Sequence, residues 1–141
     1  MTGLHILHFL FLCFWGGVVF AESAMELVAR KRPEFVPAVA RFHYWIDLCI
    51  EGPLLVAVLV TGGLLLRGRP MDGLLLAKIA AGLTAVAVNL YCVVIVVKRA
   101  GAAADPSHSI ALGRQVILSA VVGVPFGLAA LYLGALRAGW I

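Results

Sequence analysis

Residues 74–97 read LLLAKIAAGLTAVAVNLYCVVIVV, twenty-four residues that contain a single charge, Lys78, and a single amide, Asn89. A helix needs about 20 such residues, rising 1.5 Å each, to cross a hydrocarbon layer roughly 30 Å thick. The run stops on Lys98-Arg99, side chains suited to lipid headgroups. Three other stretches have the same character. They are Leu4 to Ala21, with a helical continuation through Glu26 to Ala29, then His43 to Leu66, and Ile110 to Leu136. Between them lie polar connections: residues 30–41 with Pro33 and Pro37, residues 67–73, and residues 101–109 around Asp105-Pro106.

Composition agrees with this division. The 141 residues are 63% hydrophobic with a mean hydropathy of +1.06, against about 45–50% apolar in soluble domains. So much apolar surface needs a lipid bilayer as its first partner. The expected fold is all-α, one transmembrane domain over residues 1–141. Its helices fall at about 4–29, 43–66, 74–97 and 110–136. Short connections make neighbouring helices antiparallel, giving an integral membrane four-helix up-down bundle. Val19-Phe20-Ala21 would suit a signal-peptide cleavage site, but no basic segment precedes the apolar run, so residues 4–21 are read as a retained helix.

Lys and Arg near the helix ends set the expected orientation. Arg30, Lys31, Arg32, Arg41, Lys98, Arg99 and Arg114 fall on one side, and Arg67, Arg69 and Arg137 on the other, seven against three. The richer side is expected to be cytoplasmic. Both termini then lie outside, as in a multi-pass protein of a bacterial inner membrane. Gly16-Gly17, Gly62-Gly63, Gly82 and the Gly123/Gly127 pair would let helix backbones approach closely. They make a homodimer the expected assembly, and Pro53 and Pro125 are expected to kink their helices.

Several functions are excluded. No basic stripe with interleaved aromatics points to nucleic acid. No serine sits in a nucleophile motif, and no glycine loop could cradle a phosphate. Cys13, Cys49 and Cys92 each lie inside an apolar run without a CxxC, and read as packing residues.

The informative residues are polar ones inside the spans, where each ionisable group costs about 2.5–3.5 kcal/mol on insertion scales. They fall at two depths. At the outer level are His5 and His8, three apart on helix one, and Lys78 on helix three. The His5–His8 face continues through Leu12, Trp15, Val19, Glu22 and Glu26. Lys78 heads a stripe of Gly82, Ala85, Asn89 and Cys92. At the inner level His43, Asp47 and Glu51 are spaced i, i+4, i+8 on one ridge, with Glu22, Glu26, Asn89 and Arg114 nearby. One reading of that ridge is an internal network with Arg114 or Arg41 neutralising a carboxylate. The other is a proton or cation site, since two carboxylates and a histidine suit a divalent metal ion. His8 is a further candidate metal ligand. Trp15 either packs the core or lines a flat cofactor.

The opening Leu4-His5-Ile6-Leu7-His8-Phe9-Leu10, with Trp15-Gly16-Gly17 following, resembles a group of small bacterial membrane proteins. They include CopD-type copper-resistance proteins and the haem-containing HemJ-type membrane protoporphyrinogen oxidase. That oxidase pairs a histidine in helix one with a lysine opening helix three beside haem b. The resemblance assigns those places to His8 and Lys78. The chain departs from the pattern at Glu22, where the oxidase has Pro-Arg, and at Asn89, where it tends to carry a histidine. The resemblance implies a haem- or metal-binding redox protein, with His8 as iron ligand, Lys78 beside a propionate and Trp15 lining the macrocycle. The ridge implies instead a proton or cation transport module built on Glu22, His43, Asp47 and Glu51. A third reading is an accessory subunit whose polar groups only fix helix register.

Overall fold

In a computed structural model, which describes residues 2–102 and 105–140, the chain is all-α. Helix α1 runs Gly3–Lys31, α2 Val36–Ile46, α3 Gly52–Leu66, α4 Gly73–Gly101 and α5 Pro106–Ala138. α2 and α3 are halves of one long helix, Pro33–Leu66, so the described residues hold four helices long and apolar enough to cross a membrane. α1 packs on α3 and α5, α4 on α2 and most extensively on α5. The four spans therefore close into a ring.

Local chemistry explains the ends. Arg32 precedes Pro33 and is pushed out of helical geometry, to φ −134° and ψ 85°. The chain then turns through a short 3-10 segment, Pro33–Phe35, and restarts with Pro37 in the first turn of α2. Pro33 and Pro37 thus start a helix where the sequence reading made them part of a long connection. Proline fits the first turn because its missing N–H has no helical partner there.

Asp72 caps α4 by accepting from the Leu75 N–H at 2.8 Å. Asp105 caps α5 through Ser107 and His108. α5 ends on Gly139 in the left-handed region, with the Trp140 N–H returning to the Ala135 carbonyl at 3.1 Å. Arg137, one turn earlier, pairs with Asp72, and this neighbour holds the exposed Asp72 carboxyl below its ordinary range. Trp140 stacks edge-on against Phe9 at 5.2 Å. The start of α1, the start of α4 and the end of α5 are thereby clasped at the end of the bundle that carries both termini.

The outward faces are apolar. Phe14, Phe20, Val121 and Leu128 are all 60% exposed or more. Side chains like these suit hydrocarbon and not water. Inside, one apolar cluster joins Trp15, Leu55, Ala85 and Val86 at mid-height. A second, Ile95, Val96, Leu112 and Val116, holds α4 to α5 nearer the opposite, basic end. Gly123 and Gly127 do face α4, through Val88 and Ala85, whereas a Cβ at Gly16, Gly17 or Gly63 would meet nothing within 4 Å among the described residues. α5 continues through Pro125 without a break.

Candidate functional site

Buried polar side chains collect on the basic-end half of the bundle. Glu22 and Glu26 come from α1, His43 from α2, Asp47 and Glu51 from the segment after it, and Arg99 from the last turn of α4. Each of these is 4% exposed or less. Asp47 and Glu51 therefore point into the bundle, as the ridge spacing requires.

The segment that carries them, Asp47–Glu51, is a π-turn, closed by the Gly52 N–H on the Asp47 carbonyl. Pro53 accounts for it. Its ring would strike the carbonyl four residues back in an α-helix, and it has no N–H to give. A wider turn removes the clash. It also aligns the acids: four residues over-rotate by about 40° in an α-helix of 3.6 residues per turn, and a wider turn takes up that excess. π-turns of this kind recur at functional sites.

The contacts fall into three groups. In the first, Arg99 donates to Glu26 Oε1, which His43 Nδ1 also reaches at 2.9 Å, and Arg99 Nε reaches Ser109 Oγ at 3.4 Å. The guanidinium fits because Gly113 on α5 has no side chain. A Cβ there would lie 2.9 Å from Arg99 Nη2. In the second, Glu51 Oε1 accepts from both Trp15 Nε1 at 2.8 Å and Asn89 Nδ2 at 2.7 Å.

The third group lies between them. In the neutral tautomer that gives Nδ1–H to Glu26 Oε1, the oxygen Arg99 also reaches, His43 carries its lone pair on Nε2. It faces Glu22 Oε1 at 3.6 Å and Asp47 Oδ1 at 3.8 Å. Glu22 Oε1 and Asp47 Oδ2 are buried and have no hydrogen-bond partner among the described residues. In that tautomer three lone-pair-bearing groups converge, with one potential ligand atom from each within 4.8 Å of the others. Ligand atoms on a tetrahedral zinc are separated by about 3.3 Å at bond lengths of 2.0–2.1 Å. Small side-chain movements close that difference. The Glu26–His43 contact fixes the orientation of the imidazole, as outer-shell carboxylates do for histidines that bind metals.

The charges point the same way. Four carboxyl groups, Glu22, Glu26, Asp47 and Glu51, share this interior with one guanidinium, Arg99, and one imidazole. Uncompensated negative charge is costly at low dielectric. The space between Glu22, His43 and Asp47 calls for a proton or a cation.

The structure thus unites three of the expected metal ligands, Glu22, His43 and Asp47. Glu51 adjoins them but is held by Trp15 and Asn89, and His8 lies elsewhere. Arg114 and Arg41, expected to neutralise a carboxylate, are exposed, and Arg99 does so instead. Arg99 was legible as a continuation of the helix stripe, seven residues beyond Cys92, but sits next to Lys98 in a terminal basic pair.

His8 and Lys78 meet at the clasped end, where both line a cavity of about 150 Å³. Thr61 Oγ1 donates its one proton to the Ala57 and Val58 carbonyls, so it accepts from His8 Nδ1–H at 2.7 Å. Trp15 does not line this cavity: its indole serves Glu51. The apolar cluster around Trp15 and Leu55 separates this cavity from the Glu22–His43–Asp47 group.

Comparison with family models, with curated proteins and with solved structures found no match to this chain.

Proposed function

We propose that this chain is a cation transport module of the membrane, in which a divalent transition-metal ion and protons exchange at Glu22, His43 and Asp47. The observation that carries this reading is His43 Nε2 facing two buried carboxyl groups, each with an unpartnered oxygen, while Nδ1–H is tied to Glu26. Two carboxylates balance a doubly charged ion, so the complex adds no net charge to the bilayer interior. When the ion leaves, protons restore neutrality on the same oxygens and nitrogen. Three protein ligands leave a coordination position free, and exchange needs one. Nitrogen with oxygen favours zinc, cobalt or manganese over calcium, which takes six to eight oxygens.

The test is equilibrium binding of Zn²⁺ and Co²⁺ to the purified protein in detergent. One ion per chain is expected, with a cobalt spectrum typical of four-coordination. The double substitution Glu22→Gln, Asp47→Asn should weaken binding about 100-fold or more, beyond the 10–100-fold typical of outer-shell losses. Protons compete for the same lone pairs, so affinity should fall as pH falls, and binding should release protons. Folded protein that binds neither ion at pH 8 would remove the proposal.

We propose further, from the seven-to-three asymmetry of Lys and Arg, that the basic end lies in the cytoplasm and both termini outside. A reporter fused after Trp140 should be active only when it folds outside. Activity confined to a cytoplasmic reporter at that position would reverse the orientation.

A further inference from the structure

The cavity at the clasped end has chemistry of its own, independent of the cation site. Its wall includes Lys78, Arg69 and Arg137. Arg137 is paired with Asp72, and Arg69 Nη2 lies 3.4 Å from His5 Nε2. Lys78 has no carboxylate or hydrogen-bond acceptor among the described residues. Three cations thus meet one carboxylate, an excess of positive charge over a pocket whose remaining wall is largely apolar: Phe9, Leu12, Leu65 and Leu131 among others.

Lys78 does not simply extend along its own helix. Its side chain crosses to α5 and lies in the notch left by Gly134, where a Cβ would stand 2.9 Å from Cε and 3.9 Å from Nζ. The ammonium is thereby seated at the cavity wall. His8, with Nδ1–H committed to Thr61, keeps Nε2 as a free acceptor on the same wall.

We infer that this cavity holds the headgroup of an anionic, hydroxyl-bearing membrane phospholipid, its phosphate against Lys78 and a headgroup hydroxyl donating to His8 Nε2. The charge excess selects an anion, and the free imidazole nitrogen selects a head with an O–H to give. The apolar wall takes the first methylenes of the chains. The depth suits a lipid too. Lys78 is one to two turns into α4, roughly 8 Å from its start, within reach of the bilayer's headgroup layer.

The test is native mass spectrometry of delipidated, folded protein titrated with phosphatidylglycerol and with phosphatidylcholine. Wild type should retain one phosphatidylglycerol about fivefold more tightly than phosphatidylcholine, the preference one lysine near a headgroup supplies. Lys78→Met should erase the preference. Gly134→Ala, which leaves the charge but fills its notch, should reduce it, and it carries the test if Lys78→Met does not fold. An unchanged preference in the folded variants would mean that Lys78 only reaches for the bilayer surface, and overturns the inference. Displacement of phosphatidylglycerol by millimolar inorganic phosphate would make the ligand a free anion, and overturns the lipid assignment.

Discussion

Arg99→Gln is expected to destabilise the folded protein by about 3–5 kcal/mol, the usual cost of leaving one partner of a buried ion pair without the other. Arg99 is 1% exposed and Glu26 2%. Glu26 is buried, so removing the guanidinium leaves its carboxyl with His43 as its remaining polar partner among the described residues. Arg99 also reaches Ser109 and fills the space over Gly113, so it joins α1, α4 and α5 at one point. The check is a double-mutant cycle in detergent-denaturant unfolding. Glu26→Gln with Arg99→Gln should recover much of the loss, because the second change removes the stranded charge. If Arg99→Gln alone stays within about 1 kcal/mol of wild type, the pair is not the anchor described.

The fold was largely legible because a spanning helix announces itself by length and apolarity. Residues 74–97 and the three similar runs needed no tertiary information. The start of the second helix was not legible in the same way. Pro33 and Pro37 look like breaks in a polar stretch, yet proline both ends one helix and begins the next, and only the backbone shows which. The members of the candidate cation site could be read: spacing put His43, Asp47 and Glu51 on one ridge, and Glu22 lay at the same inner level on α1. Which of the four converge depends on the π-turn before Pro53 and on cross-helix partners. Trp15 illustrates the gap. Its place on the His8 face left core packing and a cofactor wall both open; the ring packs in the apolar cluster with Leu55, Ala85 and Val86, and its N–H goes to Glu51, a partner on another helix. Arg99 was hidden by its neighbour, since Lys98 is exposed as a headgroup residue should be. Gly113 and Gly134 matter through side chains on α4, and no pattern within α5 alone reveals that.

Glu51 offers the sharpest contrast between removing a charge and removing an acceptor. One oxygen, Oε1, accepts from Trp15 and from Asn89 at once. Glu51→Gln can keep a carbonyl oxygen in that place, so it should cost about 1 kcal/mol or less, within the range of an ordinary hydrogen-bond change. Glu51→Ala removes the acceptor from two buried donors, at about 1–3 kcal/mol each, and opens space the helices only partly refill. About 3–5 kcal/mol is therefore expected. The tryptophan gives an independent readout, because Trp15 alone of Trp15, Trp45 and Trp140 is buried. Its emission in a Trp45→Phe, Trp140→Phe background should be preserved in Glu51→Gln and altered in Glu51→Ala. Should the glutamine variant lose as much stability as the alanine one, the carboxylate's charge and not its accepting oxygen would be what the bundle needs. Glu51 would then be a fourth member of the cation site, and the boundary between that site and the apolar layer above it would move up one turn.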